Sequence, residues 1–316
     1  MAFFTYKLYT VLMTSTSIIF FVVSIAGSYL IVYRTPPIIA AYKYYFLFLN
    51  SAYQLAIFSV GIFGWIDIQL SSDGLICLFY SGIIQLFPRN VIYPEILSTL
   101  LGVFAVVNAI FLPFLYRYCH VCHPKSFYCI NPLWPKGINV ALSIATSFLL
   151  ALPATLHIYL YKLESRGYSE DDIVVCFLFG PVLLGWTCTT AAYIVIIMTM
   201  CFIFTYRVVR TLKLQMVQAS KRTKDMQRAL TITLLLSALI PTILGVSPIL
   251  LFLYLLASKE EHMEYLLRTI YITCVLEGLL NIICTIVLVK PYRDVLRSWV
   301  RLKKWDTVIS VVPKIT

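Results

Sequence analysis

The sequence predicts an all-α integral membrane protein: a bundle of seven transmembrane helices, with the N-terminus outside and the C-terminus cytoplasmic. Three observations carry this reading. Apolar residues make up 60% of the 316 positions and charged residues 12%, against about 45–50% and about 25% in soluble domains. Seven apolar stretches reach the roughly 20 residues needed to cross a bilayer. Lysines and arginines sort strongly to one side of those stretches. A soluble enzyme, a disordered chain and a secreted disulfide scaffold are excluded by composition, because a soluble fold of this size cannot hide so much apolar surface.

The predicted spans follow in order. The first, Tyr9–Tyr33, is stopped by Arg34 and the pair Pro36, Pro37. The second is Tyr44–Ile66 and the third Val91–Tyr116. The fourth is Ile138–Tyr161 and the fifth Val182–Tyr206. The sixth is Ala229–Ala257 and the seventh Leu266–Val289. All seven are continuously apolar rather than alternating, which argues against lipid-exposed strands. Leu75–Phe87 is apolar too, but at 13 residues it is too short to span. It reads as a re-entrant or surface-packed segment. Residues 1–290 thus form the bundle, and 291–316 a short basic tail.

Orientation comes from charge. With an outside N-terminus, 19 of the 25 basic residues lie on inner loops and tail, and 6 on outer segments. Of the 14 acids, 3 lie inside, 10 outside, and Glu277 falls within the seventh span. The net charge of +11 is then a topology signal and a footprint on anionic membrane lipids, not a signature of nucleic-acid binding. The first span reads as a signal anchor, since no basic N-region or small-residue cleavage site precedes it. Val295, Leu296, Trp299 and Leu302 recur at helical spacing in the basic tail, as in an interfacial amphipathic helix over Tyr292–Trp305.

Short motifs narrow the class. The seventh span closes Glu277-Gly278…Lys290-Pro291-Tyr292-Arg293. Arg34-Thr35-Pro36-Pro37…Tyr42-Lys43-Tyr44-Tyr45 joins the first two spans, and the third ends Phe114-Leu115-Tyr116-Arg117-Tyr118. Together these resemble nematode serpentine seven-transmembrane chemoreceptors of the Str superfamily, closest to the Srh and Sri groups. In that family an acid is usual where Leu115 stands and His where Glu277 stands. The resemblance covers nearly the whole chain. It implies a G-protein-coupled chemosensory receptor in the plasma membrane, at sensory-neuron cilia. Its expected partners are a small-molecule ligand, a heterotrimeric G protein and membrane lipids.

Candidate residues fall into three groups. Arg117 and Tyr118 sit at the inner mouth of the third span, where Arg117 is either a switch residue or a positive-inside anchor. The basic run Arg207–Arg228, including Lys221, Arg222 and Lys224, is a lipid-contact or partner-docking segment. With Pro291, Tyr292 and Arg293, these residues form the expected G-protein-coupling surface. The outer halves of the spans offer Tyr93, Glu95, Trp186, Tyr193, Tyr254 and Tyr271 as ligand contacts, although Tyr and Trp also populate the interface belt. Glu277, an acid at bilayer depth, costs about 2.5–3.5 kcal/mol to insert. It reads as a ligand contact, an ion site, a helix latch or a protonated carboxyl bonded to a neighbour. His157 reads as packing.

Cysteines divide by topology. Of nine, only Cys77 and Cys176 fall on outer segments. Many seven-helix receptors tie the second outer loop to the top of helix three, so this pair is the expected disulfide. Cys188, Cys201, Cys274 and Cys284 are intramembrane packing residues. Cys119-His120-Val121-Cys122-His123, with Cys129 beyond, has metal-ligand spacing, but the loop is short. Juxtamembrane palmitoylation or plain reduced thiols are the other readings. No metal and no cofactor is expected. Enzyme motifs such as His-Glu-x-x-His or Gly-x-Ser-x-Gly are absent. A small transporter or ligand-gated channel is the alternative to a receptor. It would need a polar pore or an inverted repeat, and Glu277, Pro241 and Pro248 are the only hints.

Overall fold

A computed structural model describes residues 6–35, 40–70, 75–123, 125, 134–163, 173–178, 180–215, 231–232, 235–236, 238–248, 250–251, 263–289 and 292–298. Its frame is helical. Helix α1 is Tyr6–Arg34 and α2 is Ala40–Phe58, continued by a π-helical turn at Ser59–Phe63. Strands β1 (Trp65–Leu70) and β2 (Leu75–Ser81) follow, then α3 (Ile92–Cys122) and α4 (Trp134–Leu160). Strands β3 (Lys162–Leu163) and β4 (Ile173–Leu178) precede α5 (Pro181–Gln215). The described positions between 231 and 251, here α6, are helical and include a π-helical turn at Thr242–Val246. Helix α7 is Met263–Leu288, and 292–298 form a short tail helix.

Among the described residues six helices are long and apolar enough to cross a membrane. They correspond to the first five predicted spans and the seventh. The sixth predicted span falls partly outside the described residues. Aliphatic side chains such as Val11, Val22, Leu142, Leu149, Val182 and Ile196 face outward and exposed. Around a bundle this apolar girdle is the surface that lipid covers. Hydroxyls within the spans bond back to the carbonyl one turn earlier, as Thr155 does to Ala151 and Thr199 to Val195. That satisfies each O–H without water.

The Leu75–Phe87 stretch, expected as a re-entrant or surface-packed segment, packs over the helix ends in two parts. Its first half is strand β2 and its second half a 3₁₀ turn, Ile83–Leu86, entered at Gly82 with φ 105°. A glycine tolerates that left-handed conformation because it lacks a Cβ. The second helix also ends earlier than predicted, since Trp65 and Ile66 already belong to β1. The sheet runs β1-β2-β4-β3, all antiparallel, and joins the α2–α3 connection to the α4–α5 connection. It therefore caps one end of the bundle, opposite the tail helix.

Helices α2 and α3 approach closely at Gly102. A Cβ built there would lie 2.7 Å from the Ala56 Cα and 2.8 Å from its backbone nitrogen. Backbone cannot move aside as a side-chain tip can. Gly102→Ala is thus expected to push the two helices apart and destabilise the bundle by about 1–3 kcal/mol. Thermal unfolding of the purified variant in detergent reads this directly. An unchanged melting temperature would show that the contact carries no packing constraint.

Candidate functional site

Under the sheet lies a chamber of about 410 Å³. Its roof is formed by Ile66, Ile76, Leu78, Tyr80 and Phe177. Strand periodicity explains the selection: 76, 78 and 80 share one face of β2, and Phe177 stands opposite Ile76 in the register. Cys77 points to the other face, directly opposite Cys176, and the two are disulfide-bonded with Cα atoms 4.0 Å apart. The bridge staples β2 to β4 without entering the chamber. The walls come from α2, α3, α4, α5, α6 and α7 and are overwhelmingly apolar, with Val103, Phe104, Ile110, Ile194 and Met198 among them.

Few polar groups face this space. Glu277 is 6% exposed and lines it from α7. The Tyr53 hydroxyl donates to Glu277 Oε1 at 2.6 Å, and Asn281 Nδ2 donates to the Tyr53 oxygen at 3.2 Å. Glu277 Oε2 abuts Gly245 of the π-helical turn: a Cβ there would sit 2.5 Å from it. Tyr80, 2% exposed, has a hydroxyl with no hydrogen-bond partner, as does Thr190 on α5. Burial pushes the Tyr80 phenol well above its ordinary pKa, with Tyr271, Glu95 and Tyr93 nearby. It therefore stays protonated and able to donate.

The structure sorts the expected ligand residues. Trp186, Tyr271 and Glu277 line the chamber. The Trp186 indole also donates to the Leu150 carbonyl at 2.7 Å. Tyr93 does not line it and packs edge-on against Tyr159. Glu95 is buried on α3 beside Thr99, with 3.5 Å between their oxygens, and does not line the chamber. Tyr193 ties α5 to α3 by donating to Asn108 Oδ1 at 2.5 Å. Tyr254 lies outside the described residues. Tyr53, Tyr80, Thr190 and Gly245 were missed. A signal for Tyr53 existed: Asn50, Tyr53 and Gln54 make a polar stripe at helical spacing in an otherwise apolar span. Asn50 bonds the Ser24 carbonyl and Ser28 Oγ, and Gln54 bonds Ser24 Oγ, which locks α1 to α2. His157 is buried and packs on the Tyr161 ring.

At the opposite end, Arg117 is 3% exposed rather than splayed into solvent. Its Nη2 donates to Thr231 Oγ1 of α6 at 2.7 Å, and Tyr42 lies close beside the guanidinium. A crevice of only about 10 Å³ remains beside it, walled by Phe114, Phe204, Thr205 and Val208. Tyr118 stacks on Phe204 with centroids 4.7 Å apart. Tyr292 is buried, and its hydroxyl hydrogen-bonds Thr35 Oγ1 at 2.8 Å. Val295 and Leu296 pack on the core behind it, which seats the tail helix under α1 and α7. Lys221, Arg222, Lys224 and Pro291 lie outside the described residues, as do Trp299, Leu302 and Cys129. Among the described residues no group of three or more His, Cys, Asp or Glu is placed to hold a metal.

A membrane bundle of this build, matched over residues 5–302 by the family model for the serpentine type 7TM GPCR chemoreceptor Srh, falls in the class of seven-helix G-protein-coupled receptors. Within that class the chain belongs to the Srh family of serpentine chemoreceptors. Comparison with curated proteins finds no match.

Proposed function

We propose that this receptor binds a small molecule in the chamber and activates a heterotrimeric G protein at the opposite end of the bundle. One observation carries the reading: the same element, α6, touches both places. Pro241, Gly245 and Val246 line the chamber, and Thr231 holds Arg117. Thr231 and Pro241 are separated by about 15 Å along a helix. The proline and the π-helical turn that follows it weaken the backbone ladder at the chamber end, which gives α6 a place to pivot. A ligand that biases α6 in the chamber would thereby bias the Arg117 contact. In this arrangement the sheet faces outside and the tail faces the cytoplasm, a reading supported by the excess of basic residues on the tail side.

Expression in a reporter cell with an odorant panel tests the reading, with second messenger and membrane current recorded in parallel. Second-messenger output without an intrinsic current is expected. A ligand-gated current without second messenger would establish the channel alternative. Epitope tags at each end test orientation: only the N-terminal tag should stain in intact cells. Surface staining of the C-terminal tag would invert the bundle and remove the coupling face from the cytoplasm.

A further inference from the structure

The described lining of the chamber holds one acid, Glu277, and no basic side chain: no Lys, Arg or His lines the space with it. An ionised carboxylate in such surroundings needs a partner. Tyr53 supplies one hydrogen bond to Oε1. Oε2 lies against Gly245 of α6, where a Cβ would come within 2.5 Å of it. At the roof, the buried Tyr80 hydroxyl is without a partner, although buried hydroxyls are normally bonded. Tyr80 lies near Tyr271. Tyr271 is six residues before Glu277 on α7, or about 9 Å along the helix axis. The chamber thus has a carboxyl floor and a hydrogen-bonding roof, with apolar walls between them.

We infer that the ligand class is a largely apolar amine: its protonated nitrogen sits at Glu277, its hydrocarbon body fills the chamber, and a second polar atom meets Tyr80. The inference rests on the chamber being the receptor's ligand site. A cation at Glu277 supplies the charge that the described lining leaves out. A polar atom at the far end supplies the missing partner of Tyr80. A fatty acid suits the site less, because in either orientation it brings a second negative charge into a space whose described lining holds an acid and no base. Glu95 lies near Tyr80 but does not line the chamber, so it is the control for a nitrogen seated at the roof instead.

The test is direct binding to purified full-length receptor in lipid nanodiscs, read by thermal stabilisation and by displacement calorimetry. The probes are 6-aminohexan-1-ol, hexylamine, hexan-1-ol, hexane-1,6-diol and hexanoate. Hexylamine is expected to bind about tenfold more tightly than hexan-1-ol, as a charge-assisted hydrogen bond implies. 6-Aminohexan-1-ol should bind more tightly still, and hexanoate not at all. Glu277→Gln should erase the preference for amine over alcohol. Should that variant fail to fold, Glu277→Asp keeps the charge and should keep the amine preference. Tyr80→Phe should erase only the gain from the terminal hydroxyl. Equal binding of hexylamine and hexan-1-ol overturns the inference. So does an amine preference that survives Glu277→Gln, or one that is lost in Glu95→Gln instead. If amines do not bind while neutral volatiles drive second messenger in cells, the ligand class fails and the receptor reading stands. If amines bind but no compound in the panel elicits signalling, the ligand class stands and the coupling proposal fails.

Discussion

Arg117→Ala is expected to abolish ligand-driven second-messenger output while leaving ligand binding in the chamber intact. Arg117 sits at the end of α3 far from the chamber, buried against Tyr42 and bonded to Thr231. In this packing its guanidinium holds α6 in place and is itself hidden. When α6 swings out, the same guanidinium becomes the group presented to the partner. Its loss removes the latch and the presented charge together. Thr231→Val separates these roles, because it removes only the acceptor. A hydrogen bond to a charged group contributes about 1.5–3 kcal/mol. Losing it should raise ligand-independent output by about tenfold or more if the closed state dominates at rest. The two single variants are therefore expected to move signalling in opposite directions. Neutralising Lys221, Arg222 and Lys224 should lower output without raising the basal level. Surface expression and binding measured alongside separate signalling loss from misfolding. Full signalling in both Arg117→Ala and the neutralised variant would count against coupling through this face and revive the channel reading.

The paired substitution Cys77→Ser, Cys176→Ser is expected to cost the receptor its ligand affinity. The bridge closes a loop with a sequence separation of 99 and joins the two central strands of the roof. Removing a native disulfide typically costs about 2–5 kcal/mol. Here the loss falls on the sheet, which is the only cover of the chamber among the described residues. Ile76, Leu78, Tyr80 and Phe177 would no longer be held over the walls. Opening the roof lets water into the chamber, and affinity should fall by about tenfold or more. Ligand binding by the double variant measures this, and mass spectrometry of non-reduced peptides checks the pairing in the parent protein. Free thiols at both positions in folded receptor, or unchanged affinity in the double variant, would reject the staple.

Several features were legible without coordinates, and their physics explains why. A membrane span announces itself because every residue of a continuous stretch must be apolar where water is absent. Hence the first five spans and the seventh could be placed within a few residues. The helices overshoot the apolar runs at both ends, as α3 does through Cys122 and α5 through Gln215, because backbone hydrogen bonding continues into polar surroundings. Family membership was legible because Arg117 and the Pro291-Tyr292-Arg293 close sit at recognisable distances from span ends. Glu277 was legible because an acid inside a span is costly and stands out.

Hydropathy alone could not tell strand from surface helix in Leu75–Phe87. An apolar segment too short to span satisfies either form equally well, and the choice was made by its partners. β2 is a strand because β1 and β4 supply hydrogen bonds on both edges. Nor could sequence divide the aromatic residues. Tyr93, Tyr193 and Tyr271 look alike in the chain, yet only Tyr271 lines the chamber, while Tyr193 is spent on Asn108. The role of Gly245 depends wholly on Glu277, which lies 32 positions away. By itself, then, the sequence determined what lipid demands of each segment in turn: the helical spans, the charge asymmetry of the loops and the buried acid. Tertiary structure decided which side chains meet across helices. The roof over the chamber, the Tyr53–Glu277 bond and the Arg117–Thr231 latch are contacts between distant segments, and burial enforces them only once the bundle has closed.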